Sequence, residues 1–246
     1  VRGLVYTRYE LLRAFRNRRF FFFSIGFPLL FYFVIASPNR GVHDFDRSGI
    51  SLPLYYMVGL TAFGTMVAMI STGTRIASER QIGWTRQLRI TPLSTRAYFR
   101  AKLLAAYMMS GLTIVLLGLA GSSLGVSLPA GHWLAMVGLI LVALLPFAAL
   151  GIMLGHLINV DSIGPATGGG ASLLAFLGGT WFPLGSHGFL FELGRLLPSY
   201  WLVQAAHTGL TGHGWPVRGW VVIAVWSVVL SAGALYAFRR DTKRAG

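Results

Sequence analysis

The sequence of 246 residues is 54% hydrophobic and only 11% charged, well below the roughly one-quarter charged content of soluble domains. Its net charge of +14 would direct attention to nucleic acid in a soluble protein, but here the basic residues fall between long apolar runs, which sets nucleic acid aside in favour of a bilayer. Cysteine is absent, so disulfides and thiolate metal sites are excluded.

In chain order, residues 1–19 predict an interfacial amphipathic helix. Leu4, Val5, Leu11, Leu12 and Phe15 share one arc, and Arg2, Glu10, Arg13 and Asn17 lie opposite, with Arg8 interrupting the apolar arc and free to snorkel. A plain positive stop before the first span is the alternative. Six apolar runs then reach spanning length: Phe20 to Ala36, Leu54 to Thr74, Tyr98 to Leu124, Trp133 to Leu157, Ile163 to Trp181 and Trp220 to Phe238. The first of these lacks a small-residue cleavage pattern, so no signal peptide is expected. Residues 182–210 are broken by Pro183, Gly185, Gly188 and Pro198 and carry Glu192 and Arg195, which predicts an external helical hairpin that enters the membrane without crossing it. The fold class expected is therefore an all-α integral membrane protein, a single transmembrane domain over residues 1–246.

Orientation follows from the basic residues. Seventeen of the 21 lie in the segments 2–19, 75–102 and 239–244, which predicts both termini and the 75–102 segment on the cytoplasmic side. Both termini on one side require an even number of spans.

The segment Ser78 to Lys102 is too polar for a bilayer interior. It predicts a short helix over residues 78–90 and a new helix start at Thr91 and Pro92, with the threonine capping and the proline at the first helical position. Glu79, Arg80, Gln81, Gly83, Arg86, Leu88, Thr91, Pro92, Leu93 and Ser94 resemble the loop between the second and third spans of the ABC-2 type permeases, the membrane subunits of bacterial export complexes powered by separate ATPases. The chain departs from that pattern at Gln81, where a second acid is usual, and at Trp84, where a small or aliphatic residue is usual. Phe182, Pro183, Leu184, Pro198, Tyr200 and Trp201 match a second family element, the hairpin after the fifth span, so the resemblance covers essentially the whole chain.

Other chemistry is poorly supported. Neither lysine follows a glycine, so no phosphate-binding Gly-Lys-Ser/Thr loop exists, and the chain is expected not to be an enzyme. Gly168, Gly169 and Gly170, like Gly178 and Gly179, suit close helix approach better than phosphate binding. None of the seven acidic residues falls in the middle of a run, which argues against an ion-driven pump. Ser172 with His207 lacks any nucleophile motif, and His187, His207 and His213 lack metal-ligand spacing.

The resemblance implies a coupling helix carrying Glu79, Arg80, Gln81, Gly83, Trp84, Arg86 and Leu88 that docks on an ABC ATPase. A solvated loop that merely sets topology is the alternative. The implied partners are that ATPase, a second permease chain (identical or a paralogue) and membrane lipids, with ATP and Mg held by the ATPase and no cofactor bound by this chain. The implied location is the bacterial plasma (inner) membrane. Substrate would pass between two protomers, along Met66 and Met69 of the second span and Phe176, Trp181 and Phe182 near the outer end, with Pro183 and Pro198 in an external gate; packing is an equal alternative for the methionines. Efflux of small amphipathic drugs or antibiotics is the expected activity, with lipid or polysaccharide export second and a motor-free membrane enzyme or scaffold as the alternative of another class.

Overall fold

A computed structural model describes residues 2–45, 50–84, 87, 91, 93–185, 187–211 and 214–244, and every regular element among them is helical. Helix α1 (Arg2–Arg16) is followed by α2 (Arg18–Phe21), which continues through a π-turn at Phe22–Gly26 into α3 (Phe27–Ala36). Next come α4 (Leu52–Gln81), α5 (Thr95–Ser123) and the pair α6 (Ala130–Ala143) and α7 (Leu145–Leu157). A π-turn at Pro165–Gly169 leads into α8 (Gly170–Leu177), and α9 (Phe189–Arg195), α10 (Pro198–Thr211) and α11 (Val217–Arg244) complete the chain.

Four of these stretches, Leu52–Gln81, Thr95–Ser123, Ala130–Leu157 and Val217–Asp241, are long and apolar enough to cross a bilayer. The predicted first and fifth spans are helical but interrupted by π-turns, so neither is a long regular helix. The first interruption has a local cause. Pro28 lacks an N–H for the Ser24 carbonyl, four residues earlier, and crowds it. That carbonyl instead faces α5, where the Thr113 hydroxyl lies 3.5 Å away.

Helix α4 is the axis of the molecule. Of its most apolar window, 83% is buried within the chain against 22% for α11, so α4 is core on all sides while α11 turns most of its surface outward. Buried Thr61, Thr65 and Thr72 donate to carbonyls one turn back in α4 (2.6–2.8 Å), which satisfies their hydroxyls without water. Helices α4 and α7 cross backbone to backbone at Gly73, Gly151 and Gly155, where any added Cβ would overlap the facing main chain. The close approach expected at Gly168 to Gly170 does not occur within the chain, since a Cβ at any of the three would meet open space.

The 182–210 region forms two short helices, α9 and α10, and α10 packs inward through Trp201, Leu202, Val203, Ala205 and Ala206. The indole N–H groups of Trp201 and Trp226 donate to the Arg195 and Leu196 carbonyls at 2.9 and 2.8 Å, satisfying acceptors that the end of α9 leaves open.

Candidate functional site

The most constrained polar site lies where α1, α4 and α5 meet. Helix α4 runs past its apolar section to Gln81, so residues 78–81 continue the long helix and do not open the separate short helix expected from Ser78. This carries Glu79 into the protein, fully buried. Its Oε1 accepts from Lys102 Nζ of α5 and from Arg13 Nη1 of α1, both at 2.8 Å, and its Oε2 accepts from the Tyr98 hydroxyl at 2.6 Å. Lys102, itself 1% exposed, also donates to buried Glu10 Oε1 at 3.1 Å and lies 5.0 Å from the Tyr98 ring centre. Two buried carboxylates, one lysine and one arginine thus tie three helices together.

Helix α1 is amphipathic as expected, but one member of its polar arc, Glu10, is buried in the protein, and Arg13 reaches in to Glu79 while staying partly exposed. Glu10 points inward, while Val5, Tyr9, Leu12 and Phe15 are exposed. Desolvating charges of this kind is tolerable only when every member is paired. Burial, and then the Glu10 and Glu79 carboxylates, push the Tyr6 hydroxyl on the same helix well above its ordinary range, so it stays protonated.

A second cluster closes the same end. Arg80 Nη2 pairs with Asp241 Oδ1 of α11 at 2.9 Å, and Arg80 Nη1 donates to the Gly155 carbonyl at 3.3 Å. His156 Nδ1 lies 3.0 Å from Asp241 Oδ2, with the Phe99 and Phe238 rings beside the imidazole. Neither Glu79 nor Arg80 therefore stands on an open docking face; both anchor helix ends.

Beyond them the chain turns at Ile82 and at Gly83, whose φ of +71° is a left-handed helix end that favours glycine. Gln81, Ile82, Gln87 and Thr91 are exposed, and Trp84 is half-buried. Arg86, Leu88 and Pro92 lie outside the described residues. The next helix is capped by Ser94, whose hydroxyl accepts from the Ala97 N–H at 3.2 Å, and not by Thr91 three residues earlier. Between this segment and α1 lies a cavity of about 690 Å³, lined by residues that include Val5, Tyr6, Leu12, Arg13, Arg16, Ile82, Trp84 and Leu93.

The opposite end is aromatic. The Tyr55 hydroxyl donates to the Gly179 carbonyl at 2.8 Å and the Tyr56 hydroxyl to the Trp181 carbonyl at 3.2 Å, fixing the turn after α8 on the start of α4. Trp181 packs against Phe31 and Phe63 at ring separations of 5.7 and 5.4 Å, and exposed Phe176 and Phe182 meet edge to face at 5.1 Å. Met66 and Met69 are each 1% exposed inside the protomer, the placement that packing requires. Pro183 lines a smaller cavity of about 270 Å³ with Tyr55, Tyr200, Gln204 and His207, and buried Pro198 opens α10. Ser172 is exposed on α8, whereas His207 Nδ1 is 2.9 Å from the Val203 carbonyl of its own helix.

The charged quartet was not anticipated from the sequence, although one signal pointed to it. Lys102 falls inside the third apolar run, and a lysine there needs a carboxylate partner. Which carboxylate it meets is decided by residues 92 and 23 positions away in the chain.

A family model described as "ABC-2 type transporter" matches residues 3–210, from α1 to the end of α10. The protein described as "Putative transport permease YvfS" of Bacillus subtilis (strain 168) is 32% identical over 196 residues, a stretch covering 78% of this chain and 78% of that one. The chain belongs to the ABC-2 type transporter family and is thus a multi-helix membrane subunit of an ABC transporter, a role that implies an ABC ATPase as partner.

Proposed function

We propose that this chain is half of the membrane domain of a bacterial plasma-membrane exporter that moves small amphipathic compounds, drugs or antibiotics among them, outward at the expense of ATP bound by a separate ATPase. Six spans, with the interrupted helices α2–α3 and α8 counted among them, place both chain ends and the 82–93 segment on the cytoplasmic side, in keeping with the clustering of basic residues there. A second permease chain completes the pathway. The exposed aromatic pair Phe176 and Phe182 borders it, the 182–210 hairpin with Pro183 and Pro198 closes it on the outer side, and Met66 and Met69 support α4 from within.

The observation that carries this reading is the anchoring of the 82–93 segment. It leaves α4 directly after Glu79 and Arg80, two residues held to α1, α5, α7 and α11 by ion pairs and hydrogen bonds. A push on the segment is then delivered to four helices together instead of being absorbed in a pliant loop. Exposed Gln81, Ile82, Gln87 and Thr91, with half-buried Trp84 behind them, supply the mixed apolar and polar surface that a protein partner uses. ATP binding draws two ATPases together. Because nucleotide binds the closed pair more tightly, that difference in affinity biases the membrane dimer towards its outward-open form.

The test is co-purification of the tagged chain from its native membranes together with dye transport in inverted vesicles. Wild type recovers an ABC ATPase and accumulates an amphipathic dye when ATP is supplied, and Ile82→Asp with Trp84→Ala loses both while keeping its helical content. Recovery of no ATPase with well-folded wild type, or normal transport by the double variant, overturns the reading.

A further inference from the structure

The cavity between α1 and the 82–93 segment is not needed to explain how force reaches the spans, and its chemistry is specific. Its walls are apolar at Val5, Leu12, Ile82 and Leu93, three of which (Val5, Leu12 and Ile82) are about half or more exposed. Its charged members differ in what they have left to offer. Glu10 is buried and paired with Lys102, whereas Arg13 gives one nitrogen to Glu79 and still exposes 42% of its side chain, and Arg16 is exposed. Tyr6 and Trp84 line it as well. The site therefore combines positive charge with aromatic and hydrocarbon walls beside an amphipathic helix.

We propose that this cleft seats one anionic glycerophospholipid, its phosphate held by Arg13 and Arg16 and an acyl chain laid along Val5, Leu12, Ile82 and Leu93. Neither a soluble phosphate nor a zwitterionic lipid satisfies the whole site. The former leaves the apolar wall wet, and the latter brings a quaternary ammonium to a positive rim. At about 690 Å³ the cavity has room for a headgroup and the first part of one chain. Such a lipid would bridge α1 and the 82–93 segment beside the charged quartet, so the anionic lipid content of the membrane would influence how firmly the segment is held. The inference rests on the membrane placement of the chain and not on the identity of any transported compound.

Trp84 lines the cleft and reports on it. The full-length chain is reconstituted in phosphatidylcholine vesicles containing a small fraction of dibrominated phosphatidylglycerol or dibrominated phosphatidylcholine, and the fluorescence lost in wild type but not in Trp84→Phe isolates contact of brominated chains with Trp84. The expected result is about tenfold stronger quenching by the anionic lipid. That preference should be sharply reduced in Arg16→Gln, which leaves the Glu79 cluster intact, and kept in Arg13→Lys, which preserves both charge and the Glu79 pair. Far-UV circular dichroism checks that each variant is folded. Equal quenching by the two lipids, an unchanged preference in Arg16→Gln, or displacement by millimolar glycerol phosphate would overturn the proposal.

Discussion

The two ends of α4 are held by opposite chemistry. At the basic end, Glu79 and Arg80 are fixed by ion pairs to three other helices and by a hydrogen bond to a fourth. At the other end, Tyr55 and Tyr56 each give one neutral hydrogen bond to the turn after α8, and Phe31, Phe63 and Trp181 pack ring against ring. A buried charge network has few acceptable geometries, because every displaced member is left unpaired in a medium of low dielectric. Aromatic contacts tolerate sliding, since tilted and edge-on arrangements differ little in energy. One end is thus suited to transmit a movement without deforming, and the other to repack as a pathway opens.

The largest expected effect breaks the rigid end. Glu79→Ala leaves Lys102 with Glu10 alone and takes the acceptor from the buried Tyr98 hydroxyl, and should lower stability by roughly 3 kcal/mol, the low end for a broken buried pair because Arg13 is partly exposed, seen as a marked fall in the thermal unfolding midpoint in detergent. Glu79→Gln combined with Lys102→Gln should be far less damaging than the sum of the two single changes. Additive effects would mean the two groups do not act as a pair. At the other end, Tyr55→Phe removes one neutral hydrogen bond to Gly179 and should cost about 0.5–1.5 kcal/mol. A loss as large as that of Glu79→Ala would erase the contrast between the ends. Asp241→Asn is the mildest. Asp241 and its partner Arg80 remain 23% and 30% exposed, so the change should cost no more than about 1 kcal/mol and fade as salt is raised from 50 to 500 mM. Insensitivity to salt would show that this second cluster is as dry as the first.

Much of the fold was legible because the signal is local. Apolar runs of spanning length and the placement of arginines can be read without knowing any neighbour, and four of the six runs appear as long helices. The two others were read as spans, but the π-turns that interrupt them were not, although Pro28 supplies a local cause for the first. At the candidate site the burial of individual residues was not legible. Glu79 and Arg80 were expected on a surface because charged residues in a polar stretch usually are, yet α4 extends far enough to bury one and half-bury the other. The cap at Ser94 was likewise displaced from Thr91 within a stretch where several residues are competent to start a helix.

By itself the sequence determined that the chain is helical, that it belongs in a membrane, that its basic residues gather at one end, and that it carries no phosphate-binding loop of its own. These follow from composition and from patterns a few turns long, where each residue's solvent preference acts almost alone. Only the tertiary structure decided that Glu10 of α1 points inward, that Lys102 is shared between Glu10 and Glu79, and that α4 and α7 touch through Gly73 and Gly151. A buried charge or a bare stretch of backbone is stable only beside one particular partner, and that partner is chosen by how distant helices pack.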